Sequence, residues 1–270
     1  MISDANAARG HGRLEGVRVL VTGGGTGIGL AIAEELLREG ARVCISGRNE
    51  ATLQAAKESL QGIGQPLKII SFSVTDRDKC FEAIETISAE WGGLDALVNN
   101  AGIYKSGAFT DLPPAQFEVL FQTNVIGTVH LMQAVLPQMI ARQSGRIINI
   151  ASTAGKWGSL NQSAYNASKH ALVGLTRCVA LEMAKNNITV NAVCPGLVET
   201  EMAQTLIEGK AKHAGVEASE VLEQITTRQI PLGRLITPAE IGGLVAYLLS
   251  PSAGGMTGQS ILYDGGTLQI

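Results

Sequence analysis

One stretch near the N-terminus constrains the fold more than any other. The apolar run Val17-Arg18-Val19-Leu20-Val21 enters a glycine-rich turn, Thr22-Gly23-Gly24-Gly25-Thr26-Gly27-Ile28-Gly29, and a helical pattern runs on from Ile28 to Arg38. A strand that passes through glycines directly into a helix opens a βαβ unit. Gly23 permits a tight turn, Gly27 lets the backbone approach a pyrophosphate, and Gly29 lets the helix close on the strand. The helix N-terminus presents free N–H groups and a partial positive charge to a phosphate. The turn therefore reads as a dinucleotide site, with Gly25, Thr26 and Ile28 completing it.

The same alternation continues downstream. Strand-like runs fall at Arg42 to Ser46, Leu67 to Phe72, Leu94 to Asn99, Arg146 to Ala151, Ile188 to Cys194 and Ser260 to Tyr263. Helical patterns fall at Asn49 to Leu60, Asp76 to Trp91, Pro114 to Ala141, Ser163 to Lys185 and Pro238 to Leu249. Strands alternating with helices predict an α/β fold: one doubly wound parallel sheet of about seven strands, covered on both faces. No linker or repeat marks a second domain, so residues 14–270 are expected to form a single unit. Residues 1–13 are expected to be a mobile tail, and residues 200–228, helical in pattern, a substrate lid.

Composition narrows the function. A chain of 270 residues with 45% hydrophobic content supports one large core. A net charge of −3 gives a nucleic-acid partner no electrostatic support. The longest apolar candidate, Leu131 to Ile150, is cut by Pro137, Arg142, Gly145 and Arg146, so no membrane span is expected. Cys44, Cys80, Cys178 and Cys194 show no C-x-x-C spacing, and the four histidines are scattered. Reduced thiols in a cytoplasmic protein without a structural metal follow from that pattern.

A second constellation carries chemistry. Ser152 ends a strand-like run, and Tyr165 and Lys169 stand four apart on one helix, hence on one face. A phenol titrates near pH ~10, and a nearby ammonium favours its ionised form. Tyr165 then serves as proton donor or acceptor, with Ser152 polarising the same substrate oxygen. Beside a dinucleotide loop, these groups imply hydride exchange between a nicotinamide and a carbonyl or alcohol.

The spacing Thr-Gly-x-x-x-Gly-x-Gly, followed in order by Asn99-Asn100-Ala101-Gly102, Asn124, Ser152, Tyr165-x-x-x-Lys169 and Pro195-Gly196, resembles the short-chain dehydrogenase/reductase family from Leu14 to Gly266. The resemblance implies a Rossmann-type fold. It implies that Lys169 also holds the nicotinamide ribose and that Asn124 anchors a water in the proton relay. Besides the glycine turn, it places Arg48, Ser73, Val74, Asn100, Ala101, Gly102, Pro195, Gly196, Val198 and Thr200 against the cofactor, with Tyr165 and Lys169. Most members are tetramers, so a homotetramer is expected, built from the helices starting near Pro114 and Ser163 and the last strand, with Val125, Ile126, Val129 and Leu131 apolar on more than one face.

The second strand ends in Ile45-Ser46-Gly47-Arg48-Asn49. NAD enzymes of the family carry Asp at the position of Gly47, whereas Arg48 can pair with a 2′-phosphate and stack on adenine. NADP(H) is favoured and NAD(H) stays open. Thr26 stands where many NADP-preferring members have a basic residue, and Ser73 stands where the family has Asp beside adenine. The stretches Asn191 to Thr200 and Ile230 to Arg234 are most similar to aromatic-polyketide ketoreductases and 3-oxoacyl-thioester reductases. They imply NADP(H)-dependent reduction of a β-ketoacyl thioester, or of a polyketide-like or cyclic ketone, to a secondary alcohol with Tyr165 as proton donor. The alternative is an NAD-dependent secondary-alcohol dehydrogenase working oxidatively. The pocket is expected between Ile103, Tyr104, Ala154 to Trp157 and Leu197 to Met202, with Lys156 either solvated or meeting an anionic tail.

Overall fold

Seven strands form one sheet in which every neighbouring pair is parallel, in the order β3-β2-β1-β4-β5-β6-β7. The computed structural model describes residues 12–270. In chain order the elements are β1 (Arg18–Thr22), α1 (Gly27–Arg38), β2 (Arg42–Gly47), α2 (Glu50–Ser59), β3 (Lys68–Ser71), α3 (Arg77–Trp91) and β4 (Ala96–Asn99). They continue with α4 (Pro114–Phe121), α5 (Gly127–Arg142), β5 (Gly145–Ile150), α6 (Ser163–Met183), β6 (Ile188–Pro195), α7 (Glu201–Ala214), α8 (Ala218–Arg228), α9 (Pro238–Leu249) and β7 (Ser260–Tyr263).

Strand alternation sorts the core into two layers. From β1, Val19 and Val21 pack with Ile32, Leu36 and Val245 of α1 and α9. Leu20, between them, points to the other face and joins Ile87 of α3, Leu131 and Val135 of α5, and Val190 of β6. The helix starts expected at Asn49 and Asp76 are capped: Asn49 accepts from the Thr52 N–H at 3.2 Å and Asp76 from the Lys79 N–H at 3.1 Å. Thr237 and Glu240 form a capping box on α9.

The chain leaves β1 towards β2 and β3, then returns to the other side of β1 for β4. The crevice at the strand C-termini between β1 and β4 is therefore the ligand position of such a sheet.

Several features differ from the sequence reading or refine it. The helix expected from Pro114 to Ala141 is broken by a π-helical turn, Gln122–Ile126, between α4 and α5. The helical run Pro114–Arg142 continues through Pro137, where the sequence reading cut the apolar stretch; it has the length and composition to cross a membrane, but half of its most apolar window is buried inside the fold, as in a core helix. Val125 and Leu131 belong to that buried part, leaving Ile126 of the expected contact set exposed. Of the expected tail, residues 1–11 lie outside the described residues, and Arg13 is bound through its backbone N–H and guanidinium to Glu39. The expected lid is a helix pair, α7 and α8, joined by the apolar cluster Ile207, Ala211, Val221 and Ile225.

Candidate active site

Two clefts open at the C-terminal ends of the strands, one on each side of the α1 N-terminus. Thr22, the last residue of β1, accepts the backbone N–H groups of Asn100 and Ala101 on its Oγ1, both at 3.0 Å. Asn100 returns two bonds through Nδ2, to the carbonyls of Thr22 at 2.9 Å and Gly23 at 3.0 Å. Asn100 thus shapes the glycine turn from across the crevice. Gly23 and Gly27 have φ of 61° and 53°, in the left-handed region where glycine is at ease. At Gly29 a Cβ would collide with the Gly23 carbonyl and the Asn100 amide.

The residues present fit a dinucleotide phosphate. Thr26 is the N-cap of α1 but makes no side-chain cap bond, and no acid lies in the first turn. The first-turn N–H groups are free to meet an anion, as a helix N-terminus requires. From there the first cleft runs along Gly47, Arg48, Ser73, Val74, Ala101 and Gly102. Among the described residues lining it, Arg48 is the only charged one. Ser73 Oγ lies 2.8 Å from Thr75 Oγ1, so its hydroxyl is shared with that turn.

The second cleft contains Ile28, Ser152, Tyr165, Pro195, Gly196, Val198 and Thr200. Thr200 also caps α7, accepting the Ala203 N–H at 3.3 Å. Ser152 follows β5, accepts the Ala154 N–H at 3.1 Å and lies close enough to the Tyr165 hydroxyl to influence its titration. The Tyr104 ring meets Tyr165 edge-on, with centroids 5.0 Å apart. Lys169 Nζ donates to the Ile150 carbonyl at 2.9 Å and lies 5.7 Å from the Tyr165 ring centroid.

Asn124 occupies the π turn and is buried. Its Oδ1 accepts the Ile103 N–H at 2.8 Å; its Nδ2 donates to the Ile103 carbonyl and to Ser168 Oγ, both at 3.1 Å. Ser168 in turn donates to the Tyr165 carbonyl at 2.8 Å. Both amide hydrogens of Asn124 are thus engaged with protein atoms, and the residue ties the loop after β4 to α6. A π turn places a side chain where a regular helix would rotate it away, and such turns gather at functional sites.

The electrostatics correct one expectation, that Lys169 lowers the Tyr165 pKa. Burial instead pushes the phenol up to about 12, with the nearby Ser152 hydroxyl opposing. Burial also pushes the Lys169 ammonium down to about 8. Both groups are withdrawn from water, and desolvation disfavours each charged form.

The family model for short chain dehydrogenase matches residues 17–211. The chain belongs to that family. A putative ketoacyl reductase of Streptomyces coelicolor is 39% identical over 249 residues, covering 92% of this chain and 95% of the relative. The D-beta-hydroxybutyrate dehydrogenase of Cupriavidus necator is 36% identical over 256 residues, covering 94% and 98%. The crystal structure of a single-residue variant of actinorhodin polyketide ketoreductase with NADPH aligns with a TM-score of 0.90 at 37% identity, covering 93% of this chain and 97% of that one.

Within this short chain dehydrogenase, sequence reasoning missed several contributors. A buried ladder runs from Asn99 Nδ2 to Asn149 Oδ1 and from Asn149 Nδ2 to Thr176 Oγ1, both at 2.9 Å, linking β4, β5 and α6 beneath the site. Its signal is an asparagine late in each of two otherwise apolar strands. Gln229 and Thr267 line the second cleft, as does Lys210, whereas Lys156 does not. Nothing in local pattern distinguishes these, because the lid register decides them. No cluster of three His, Cys, Asp or Glu suited to a metal occurs among the described residues.

Proposed function

We propose that this enzyme is an NADPH-dependent ketone reductase, acting on a β-ketoacyl thioester or on a polyketide-like or cyclic ketone. The observation that carries the reading is the charge of the first cleft, where Arg48 stands with no carboxylate among the described lining residues. A 2′-phosphate gains a bidentate partner there, and the diol of an unphosphorylated ribose finds no acid. The NADPH in the ketoreductase structure and the ketoacyl reductase relative support the same reading.

A nicotinamide held between the glycine turn and Lys169 would supply hydride to the carbonyl carbon. Tyr165 donates its proton to the carbonyl oxygen, and Ser152 donates a hydrogen bond to the same oxygen. A phenol pushed up to about 12 stays protonated at neutral pH, which suits a donor. Lys169, pushed down to about 8, keeps its charge at neutral pH and, from one turn along α6, would hold the ribose of the nicotinamide. Apolar walls from Ile28, Ala154, Trp157, Leu197 and Leu206 exclude water from the reacting centre.

The assembly we infer is a homotetramer in the cytoplasm. Val119, Ile126 and Leu181 leave apolar surface on α4, the π turn and α6, and all four cysteines are free. A second reading, oxidation of a secondary alcohol with NAD, draws on the hydroxybutyrate dehydrogenase relative. Titration of NADPH and NADH by protein fluorescence, on wild type and Arg48→Ala, separates the two. Tight NADPH binding that weakens about tenfold or more in the variant supports the reductase. NADH binding that is equal or tighter, and untouched by the change, overturns it.

A further inference from the structure

The second cleft continues beyond Tyr165 under the lid, and the lid's own register defines what lies there. Thr200 caps α7 beside the glycine turn, with its Cγ2 3.4 Å from where a Cβ on Gly27 would sit. From that anchored end, Met202, Leu206 and Lys210 follow at four-residue spacing and all line the cleft. The adjacent stripe, Ala203, Ile207 and Ala211, is buried, the last two in the α7–α8 cluster. The helix therefore presents two apolar turns and then a cation, with Lys210 about 12 Å of axial rise beyond Met202.

The cleft has an uneven charge balance at that end. Apart from Lys210, its lining there is apolar or neutral, with Gln229 just after α8 and no carboxylate among the described lining residues. No ion pair holds Lys210 among the described residues. Lys210 is exposed and lines the cleft, so its ammonium can meet an anion whose body fills the apolar trough.

We propose that Lys210 selects substrates that carry an anionic group, a carboxylate or a phosphate, at the end remote from the reacting carbonyl, across an apolar body several methylenes long. The inference rests on the reductase reading for the identity of the reacting group, and on the lid geometry alone for the anion.

The test has a kinetic and a binding arm. The kinetic arm measures NADPH consumption by wild type, Lys210→Ala, Lys210→Arg and Lys210→Glu with a linear keto acid, its methyl ester and a keto phosphate monoester of the same length. Lys210→Ala is expected to lower the acid-to-ester ratio of kcat/KM about tenfold, through KM, the scale of one charge-assisted contact. Lys210→Arg restores the ratio and Lys210→Glu inverts it. Comparison of the acid with the phosphate monoester tells which anion is preferred. A ratio that stays the same in Lys210→Ala overturns the proposal. The binding arm titrates heptanoate, which has no ketone, into wild type and Lys210→Ala by calorimetry. Weakening of about tenfold in the variant supports the anion site even if no ketone is reduced, in which case the reductase reading fails by itself. Equal affinity in both proteins overturns the proposal whatever the kinetics.

Discussion

Lys169→Met should make the protein more stable and inactive, and the stability gain should vanish with rising pH. Lys169 is 6% exposed, and its head group reaches one carbonyl, that of Ile150. Burial lowers its pKa from 10.5 to about 8. At about 1.36 kcal/mol per unit, holding the charge inside the folded chain at neutral pH costs about 3 kcal/mol relative to the unfolded chain. Methionine has similar length and no charge, and it forfeits one hydrogen bond worth about 1 kcal/mol. The variant should therefore be more stable by about 2 kcal/mol at pH 7. Between pH 8 and 10.5 the unfolded wild type binds a proton that the folded wild type has lost, so wild-type stability climbs across that window. By pH 10.5 the advantage of methionine should be gone, leaving a deficit of about 1 kcal/mol from the missing bond. Urea unfolding of both proteins at pH 7 and pH 10.5, at one protein concentration, measures this directly. A variant that is less stable by the same amount at both values would refute the claim that Lys169 is a strained, desolvated charge.

Tyr165→Phe should lower kcat by about 10²–10⁴ while leaving NADPH affinity within a few-fold, as removal of a proton donor does; an unchanged kcat in a stopped-flow assay would remove Tyr165 from the chemistry. Reduction by wild type should fall as pH rises above about 8, where Lys169 loses its proton, and a steady-state pH profile with no loss there would show that its charge is not needed. Gly29→Ala forces a Cβ against the Gly23 carbonyl and the Asn100 amide, so it should destabilise the fold by about 1–3 kcal/mol and weaken NADPH binding. Thermal unfolding and fluorescence titration that match wild type would contradict that packing. Asn124→Ala removes three hydrogen bonds that hold Ile103 and Ser168, and should cost about 2–3 kcal/mol in urea unfolding, with KM rising as the Tyr104 loop loosens.

Local pattern reveals the sheet well. Strand alternation at Val19, Leu20 and Val21, capping residues at Asn49 and Asp76, and the glycine turn all act within a few residues, so their physics is written into neighbouring side chains. The π turn at Gln122–Ile126 stays hidden because the run from Pro114 to Arg142 has continuous helical character, and one extra residue per turn leaves no compositional trace. The direction of the Tyr165 and Lys169 shifts is hidden for another reason. Proximity on a helix face is local, but burial depends on what other elements pack around the pair, as the Tyr104 ring does against Tyr165 and the end of β5 does at Lys169. Asn100 is readable as a residue of the crevice, yet its bonds to Thr22 and Gly23 depend on the placement of β4 beside β1.

The two clefts each carry one cation and no carboxylate among their described lining residues. Several scaffold cations are held: Arg18 binds Asp95 through Nε at 2.7 Å and Nη2 at 2.6 Å, and Arg234 makes two 2.8 Å bonds to Glu240. In the clefts, Arg48 and Lys210 have no acidic neighbour among the described lining residues. A paired guanidinium must surrender its carboxylate before it can take a ligand anion, and the exchange returns little; an unpaired one keeps its full attraction. Arg48 follows β2 and Lys210 lies on the lid beyond β6, so the sheet order sets them on opposite sides of the β5 and α6 groups that do the chemistry. A cofactor anion drawn to one side and a substrate anion drawn to the other would orient the two reactants towards each other at Tyr165, with like charges kept apart. On this argument the lid cation does more than add affinity: it decides which end of the substrate enters first.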